Sequence, residues 1–431
     1  MSLRMIRVAV LVTLTLGTAV MAQQQVLEIS GANFRPVPVA IAVPLSQDAN
    51  AQSVASEFDA ALQFDLTACG LFQVLDRKSF LSDATEGIAA TNINFTNWQN
   101  VGAEALVKTQ LSSDGQTLRG DVRLFTVASG REDLKASESV SAKDARKLAH
   151  KLANAVYKAF TKEIGPFETR IAFARKVPGG KEVFLADWDG KGAVQMTSGS
   201  INVLPAVTPD RNGVVFTSYR QKKPELFIST APGSAQLLVS AGRMVSGAAF
   251  SPGGRRLAYA VSDGEFSEIW VANSDGSGAQ KLTDTKYFLN SSPAWSPDGQ
   301  KLAFVSNRAG SPQLYVMSAS GGEAKRLTFQ GKYNTTPAWS PRGDVIAFTA
   351  RDERNSFDIF TVNVASGKIA RLTQGVGNNE EPSFSPTGRL ILFTSTRTSG
   401  AKQLYVMTAD GQNQTALTAD KNDYATPDWG Q

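Results

Sequence analysis

Over the last two-thirds of the chain, short apolar runs alternate with polar turn residues in a rhythm that repeats. The clearest unit is Ser292–Gly299, reading Ser-Pro-Ala-Trp-Ser-Pro-Asp-Gly. Thr336–Gly343 and Glu381–Gly388 repeat it. Leu204–Gly213 and Gly247–Gly254 are degenerate copies, and Thr426–Gly430 is a truncated one. With Pro205, Ala248, Pro293, Pro337, Pro382 and Pro427 taken as equivalent, the period is about 43–45 residues, the length of a four-stranded propeller blade. Each turn is followed by a run such as Leu302–Phe304 or Ile391–Phe393, then one such as Gln313–Val316, then a Leu-Thr pair such as Leu327-Thr328. These runs are too short, and too rich in β-branched and aromatic residues, for helices; they predict strands. In the Pro-Asp-Gly turns, proline presets φ and glycine takes the positive φ that closes a hairpin.

A lone four-stranded sheet leaves one face exposed, and packing such sheets around an axis buries it. The ends of the repeat region fit a closed ring. Thr426–Trp429 supplies only a first strand, while Thr169–Phe173, Glu182–Ala186 and Val194–Thr197 supply only later ones. Joined, they complete a sixth blade. In this arrangement Trp295, Trp339 and Trp429 occupy a core position of the repeat.

The first third has a different pattern. An apolar-alternating strand at Pro38–Pro44 precedes helical spacing over Ala51–Ala68, with Asn50 as the expected cap and Gly70 as the stop. A strand at Phe72–Leu75 and a short helix over Asn97–Gly102 follow. Strands come next at Glu104–Leu111, Thr117–Thr126 and Asp133–Val140. Ser141 is the expected cap of a long amphipathic helix, Ala142–Lys162. The fold class predicted is an α/β N-terminal domain plus an all-β six-bladed β-propeller. The expected division is a secretory signal over 1–22, an N-terminal arm over 23–36, the α/β domain over 37–164, and the propeller over 165–431 closed by the C-terminal strand. The signal rests on Arg4 and Arg7, the apolar stretch Val8–Leu16 and the Val20-Met21-Ala22 cleavage site. That stretch is too short to span a bilayer, so the mature chain is expected to be exported without membrane insertion.

Composition narrows the chemistry. The formal net charge is +5, from 44 basic and 39 acidic residues that are interspersed along the chain, which argues against nucleic acid as a partner. One histidine, His150, and one cysteine, Cys69, cannot make a zinc cluster or an intramolecular disulfide. Cys69 reads as a buried small hydrophobe and His150 as an exposed or core helix residue. Asp187–Asp189 reads as a hairpin loop with a cation contact as the alternative. There is no Gly-x-Ser-x-Gly nucleophile elbow and no Gly-rich phosphate loop. No catalytic residues and no cofactor are expected, with calcium on channel carboxylates left open.

The Ser-Pro-Ala-Trp-Ser-Pro-Asp-Gly repeats, the Gln313–Met317 and Arg326–Thr328 strings and the Val101–Val107 segment together resemble the TolB family of the bacterial Tol–Pal envelope system, over the whole mature chain. The resemblance implies a periplasmic, monomeric adaptor of PD40-repeat type that is not an enzyme. It further implies binding of the lipoprotein Pal by the propeller and of TolA by the arm, in support of envelope integrity and cell division, with colicins as further ligands of the propeller face in some species. The arm would be Gln23, Gln24, Gln25, Val26, Leu27, Glu28, Ile29 and Ser30. The residues leading into each Pro-Ala-Trp converge at the channel mouth and match the family's partner-binding positions. They are Asn290, Ser291 and Ser292; Asn334, Thr335 and Thr336; Asn379, Glu380 and Glu381; and Tyr424, Ala425 and Thr426. Two other classes compete: a periplasmic propeller enzyme, with Glu380 and Glu381 as its acids, and a glycan-binding module, with the repeat tryptophans as stacking platforms.

Overall fold

The computed structural model describes residues 35–430 apart from 84, 352 and 399. The signal and the arm residues Gln23–Ser30 lie outside them. The N-terminal part contains β1 (Val37–Ile41), β2 (Leu45–Ser46), α1 (Ala49–Ala68), β3 (Phe72–Val74), α2 (Phe95–Asn100), β4 (Ala105–Ser113), β5 (Thr117–Thr126), β6 (Arg131–Ser141) and α3 (Ala145–Thr161). Its sheet runs β3-β1-β4-β5-β6, with β2 also on β4. β1 pairs parallel with β3 and β4, and β4, β5 and β6 form an antiparallel meander. Helices α1 and α3 pack on each other and on the sheet through Phe58, Leu62, Leu66, Leu148, Leu152 and Val156.

Both long helices begin differently from expectation. The cap of α1 is Asp48, whose carboxylate accepts from Ala51 N at 2.8 Å, and its other oxygen accepts from Ser113 N on β4 at 2.8 Å. Asp48 therefore caps the helix and ties it to the sheet, which Asn50 could not do from inside the first turn. Ser141 ends β6 instead of capping α3, and α3 starts three residues later than predicted, after Asp144.

The remaining strands form six four-stranded antiparallel sheets. The innermost strands of blades 1 to 6 are Asn202–Val207, Met244–Phe250, Asn290–Trp295, Asn334–Trp339, Asn379–Phe384 and Tyr424–Trp429. Tyr424–Trp429 pairs with Arg170–Val177, which pairs with Gly180–Asp187, so the sixth blade joins the last strand to three from the middle of the chain as the sequence predicts. Trp295, Trp339 and Trp429 are buried between blades.

Adjacent blades are also joined by a repeated polar clasp. In blade 3, Thr328 Oγ1 donates to Gln313 Oε1 at 2.8 Å, and the same oxygen accepts Asn334 Nδ2 of blade 4 at 2.9 Å. Thr373, Asp358 and Asn379 repeat the pattern at 2.6 and 2.9 Å, as do Thr197, Glu182 and Asn202 at 2.6 and 2.7 Å. The Leu-Thr pair thus has a purpose: its leucine fills the blade interface, and its threonine positions an acceptor for the next blade.

Strand direction sorts the loops by face. The hairpins after the first and third strands of every blade share one face; the loops after the second strand and the connections to the next blade share the other. The α/β domain sits on the first face. Asn413 of one hairpin donates to Thr67 O and Ala68 O at the end of α1, at 2.9 and 3.1 Å. Gly70, at φ +72, lies so close to this hairpin that a Cβ would stand 2.4 Å from Thr408 Cγ2. Glu163, just after α3, takes two hydrogen bonds from Arg389 at 2.7 and 2.9 Å. Among the described residues, the α/β domain makes its contacts with the first face only.

Candidate functional site

Every innermost strand breaks its register with the second strand at the same point. There the chain takes a left-handed conformation, at Leu204 (φ 52), Gly247 (φ 66), Ser292 (φ 52), Thr336 (φ 48), Glu381 (φ 60) and Thr426 (φ 47). Only one of the six is glycine. For an L-residue this geometry costs about 1–2 kcal/mol, and for β-branched threonine it is a clear outlier. Each of the six coincides with the register shift of a β-bulge, which bends the strand and re-aims the chain.

Four of the bulges are linked in succession, and a fifth is held by the second strand of the neighbouring blade. Thr336 Oγ1 meets Thr349 Oγ1 at 2.7 Å, and Thr349 Oγ1 accepts from Glu381 N at 2.9 Å. Glu381 Oε2 accepts from Thr426 N at 2.8 Å and from Thr394 Oγ1 at 3.2 Å. Thr426 Oγ1 accepts from Leu204 N at 3.1 Å, and Gly247 N donates to Thr217 Oγ1 at 3.2 Å. Burial raises the pKa of Glu381, against the pull of Lys402 and of the Thr426 N–H. Glu380, its neighbour, is paired with Lys402. Deeper in the wall, Asp428 accepts from Val207 N at 2.8 Å and lies beside Ser383. Part of its surface stays open, yet the ring around it desolvates the carboxyl and pushes its pKa up to about 6.

The predicted site residues divide into two sets. Ser291, Ser292, Thr335, Thr336, Glu380, Glu381, Ala425 and Thr426 are half-buried around the mouth. Asn290, Asn334, Asn379 and Tyr424, expected at the channel mouth, are instead buried, at 0, 2, 0 and 4 % exposed. The three asparagines are clasp members. Asn290 Oδ1 accepts from Arg308 and Asn379 Oδ1 from Arg397, at 2.9 and 2.8 Å. Tyr424 packs edge-on against Phe173, and its hydroxyl donates to Asp420 at 2.9 Å. Their polarity satisfies buried partners; the mouth itself begins one residue later. Asp428 was missed because Pro-Asp-Trp reads as a damaged copy of Pro-Ala-Trp. Its signal is the charge at a position where every other unit has alanine or serine.

His150 is a core residue at the domain junction. Its Nδ1 is 2.7 Å from Asp65 Oδ2, and its Nε2 is 3.9 Å from Asp189 Oδ2 on the propeller hairpin. Trp188 Nε1 donates to the other Asp65 oxygen at 2.9 Å. The cation that meets Asp189 is the guanidinium of Arg146, so this buried group of acids carries its own counter-charge. Cys69 is buried beside it, with its thiol pushed up to about 12 by desolvation. The single imidazole and the single thiol are thereby committed to the junction, away from the channel mouth.

Comparison with known proteins agrees with this architecture. The family model for the TolB amino-terminal domain matches residues 25–133, and that for the TolB β-propeller domain matches residues 157–431. The chain is 57 % identical over 416 residues, 96 % of each chain, to the Tol-Pal system protein TolB of Myxococcus xanthus. It is 45 % identical over 419 residues to that of Anaeromyxobacter dehalogenans, covering 97 % of this chain and 96 % of the relative. Among solved structures, TolB from Acinetobacter baumannii superposes with a TM-score of 0.79 at 24 % identity, covering 92 % of this chain and 97 % of that one, a likeness of fold. Over both its α/β domain and its ring, the chain belongs to the TolB family of Tol–Pal system proteins.

Proposed function

We propose that this protein is a periplasmic, non-catalytic adaptor that binds Pal at the open mouth of the propeller and TolA through the arm Gln23–Ser30, supporting outer-membrane integrity and cell division. The observation that carries the reading is the ring of left-handed residues. Strain of this kind is retained where the surrounding structure holds it for use. Here four of the strained residues, Ser292, Thr336, Glu381 and Thr426, fall among those that family resemblance assigns to the partner. Among the described residues the α/β domain docks on the opposite face, which leaves the mouth for a partner. Half-buried hydroxyls and a carboxylate suit a wet, specific and reversible interface. The arm would add a strand to a sheet edge of its partner, with main-chain bonds supplying affinity. No cofactor is needed for this role.

The test is calorimetric titration of residues 23–431 with the soluble domain of Pal from the same organism. Binding at 1:1 is expected, with affinity at least tenfold lower for Glu381→Lys and for Thr336→Trp while far-UV circular dichroism stays unchanged. Equal affinity in both folded variants would remove the mouth from the interface. Deleting 23–30 should abolish TolA binding in the same assay.

A further inference from the structure

The same face carries a second concavity beside the strained ring, which it borders at Val203, next to Leu204, at the boundary between blade 6 and blade 1. It is a trough of about 770 Å³ lined by Lys176, Val177, Lys181, Ile201, Tyr219 and Asp423, among others. Three independent features meet in it.

The first is a pair of like charges. Lys176 and Lys181 stand directly opposite each other in the Arg170–Val177 and Gly180–Asp187 hairpin. Like charges in that relation destabilise a sheet. Among the described residues neither ammonium has an ion-pair partner, whereas neighbouring cations are used internally: Arg175 lies 3.9 Å over the Phe184 ring and Arg220 lies 4.8 Å over Phe227. Asp423, the acid lining the trough, accepts at Oδ1 from Lys402 N at 3.0 Å. The second feature is apolar surface. Ile201 and Tyr219, on the blade 1 side, are 48 and 44 % exposed. The third is a fixed wall. Gly180 is packed so tightly that a Cβ would stand 2.4 Å from the Ser200 carbonyl oxygen, and Lys181 bridges directly to Ile201.

We propose that this trough binds a short acidic segment of a protein partner, its carboxylates on Lys176 and Lys181 and its apolar side chains on Ile201 and Tyr219. A charge pair that opposes folding gains a use when an anion neutralises it. The volume is that of a ligand pocket and exceeds what one small anion fills. Cations and apolar surface lie on different blades, so an occupant must present both kinds of group across the boundary. An extended peptide does this with alternating side chains.

The probe is a fluorescently labelled hexapeptide alternating glutamate and leucine, titrated at low and physiological salt into residues 23–431. Binding is expected to weaken at least tenfold for the peptide with glutamine in place of glutamate, and for the Lys176→Gln/Lys181→Gln double variant. Tyr219→Ala should weaken it severalfold. Lys181→Glu should raise the thermal midpoint while abolishing peptide binding, because it removes the repulsion and the anion site together. Pal affinity measured on the same variants separates this site from the channel mouth. Three results would each overturn the proposal: no binding of the acidic peptide, equal binding of the glutamine peptide, or undiminished binding by the double variant. Full displacement of the peptide by millimolar succinate would reassign the trough to small dicarboxylates.

Discussion

Asp428 shows how much a single substitution in a repeat can change. In the other units its position is alanine or serine; here a carboxyl is held in the channel wall with a pKa of about 6. In the unfolded chain an aspartate titrates near 3.8. Between these values the folded state holds the extra proton. The contribution to stability is therefore complete below about pH 4 and is lost as pH rises through 6. The expected size is about 2 kcal/mol, allowing for screening by channel water. Asp428→Asn should flatten this part of the stability profile, so denaturant midpoints of the variant and the parent should converge at pH 4 and separate at pH 7. Parallel profiles would mean that the carboxyl titrates normally. Residue-scale readings were otherwise uneven in the sequence. Cys69 and the repeat tryptophans were legible because burial follows apolar period. Asp48 and Asn50 were not separable as caps, since both have the chemistry, and only the distant Ser113 N–H decides between them.

At the scale of elements, the blades were readable because each strand carries its own alternation and each hairpin its own turn chemistry. The clasp was not, because its three members come from three different segments and two different blades. Seen along the chain, Asn334 is simply the polar residue before two threonines; in space it completes the acceptor of Gln313. Asn334→Ala removes its donors to Gln313 Oε1 and Gln330 O, both at 2.9 Å, from a buried site. A loss of about 1–3 kcal/mol is expected, measured by urea unfolding. Thr335→Ala, on the mouth side, should cost little by the same measurement. The left-handed ring was equally hidden. The sequence places glycine in the hairpin turns, where positive φ is cheap, but five of the six bulges use other residues, and Gly247 alone signals the conformation.

For the whole molecule, the succession of α/β domain and ring was legible, while the docking between them was not. His150 lies 85 residues from Asp65 and meets Asp189 only when the propeller hairpin folds onto α3. Periodicity carries no information about such a meeting. The Glu163 contact gives the junction a pH dependence. Hydrogen bonds and charge from Arg389 hold this carboxyl below its ordinary value of 4.5, so its contribution is present above that pH and is lost as pH falls below it. Limited proteolysis in the 162–166 segment should accelerate on acidification below pH 4.5. Glu163→Gln should cleave faster than the parent at neutral pH and show a smaller acceleration.

The sixth blade also fixes an order in time. Its innermost strand, Tyr424–Trp429, is synthesised about 250 residues after the strand it pairs with, Arg170–Val177. Until it arrives, five blades stand as an open crescent with an unpaired edge at Arg170–Val177 and no partner for the apolar flank of blade 5. Unpaired edges of this kind recruit other chains. The ring therefore passes through an adhesive stage whose length is set by delivery of its final residues, and a chain arrested shortly before Tyr424 should aggregate rather than fold to a slightly smaller propeller.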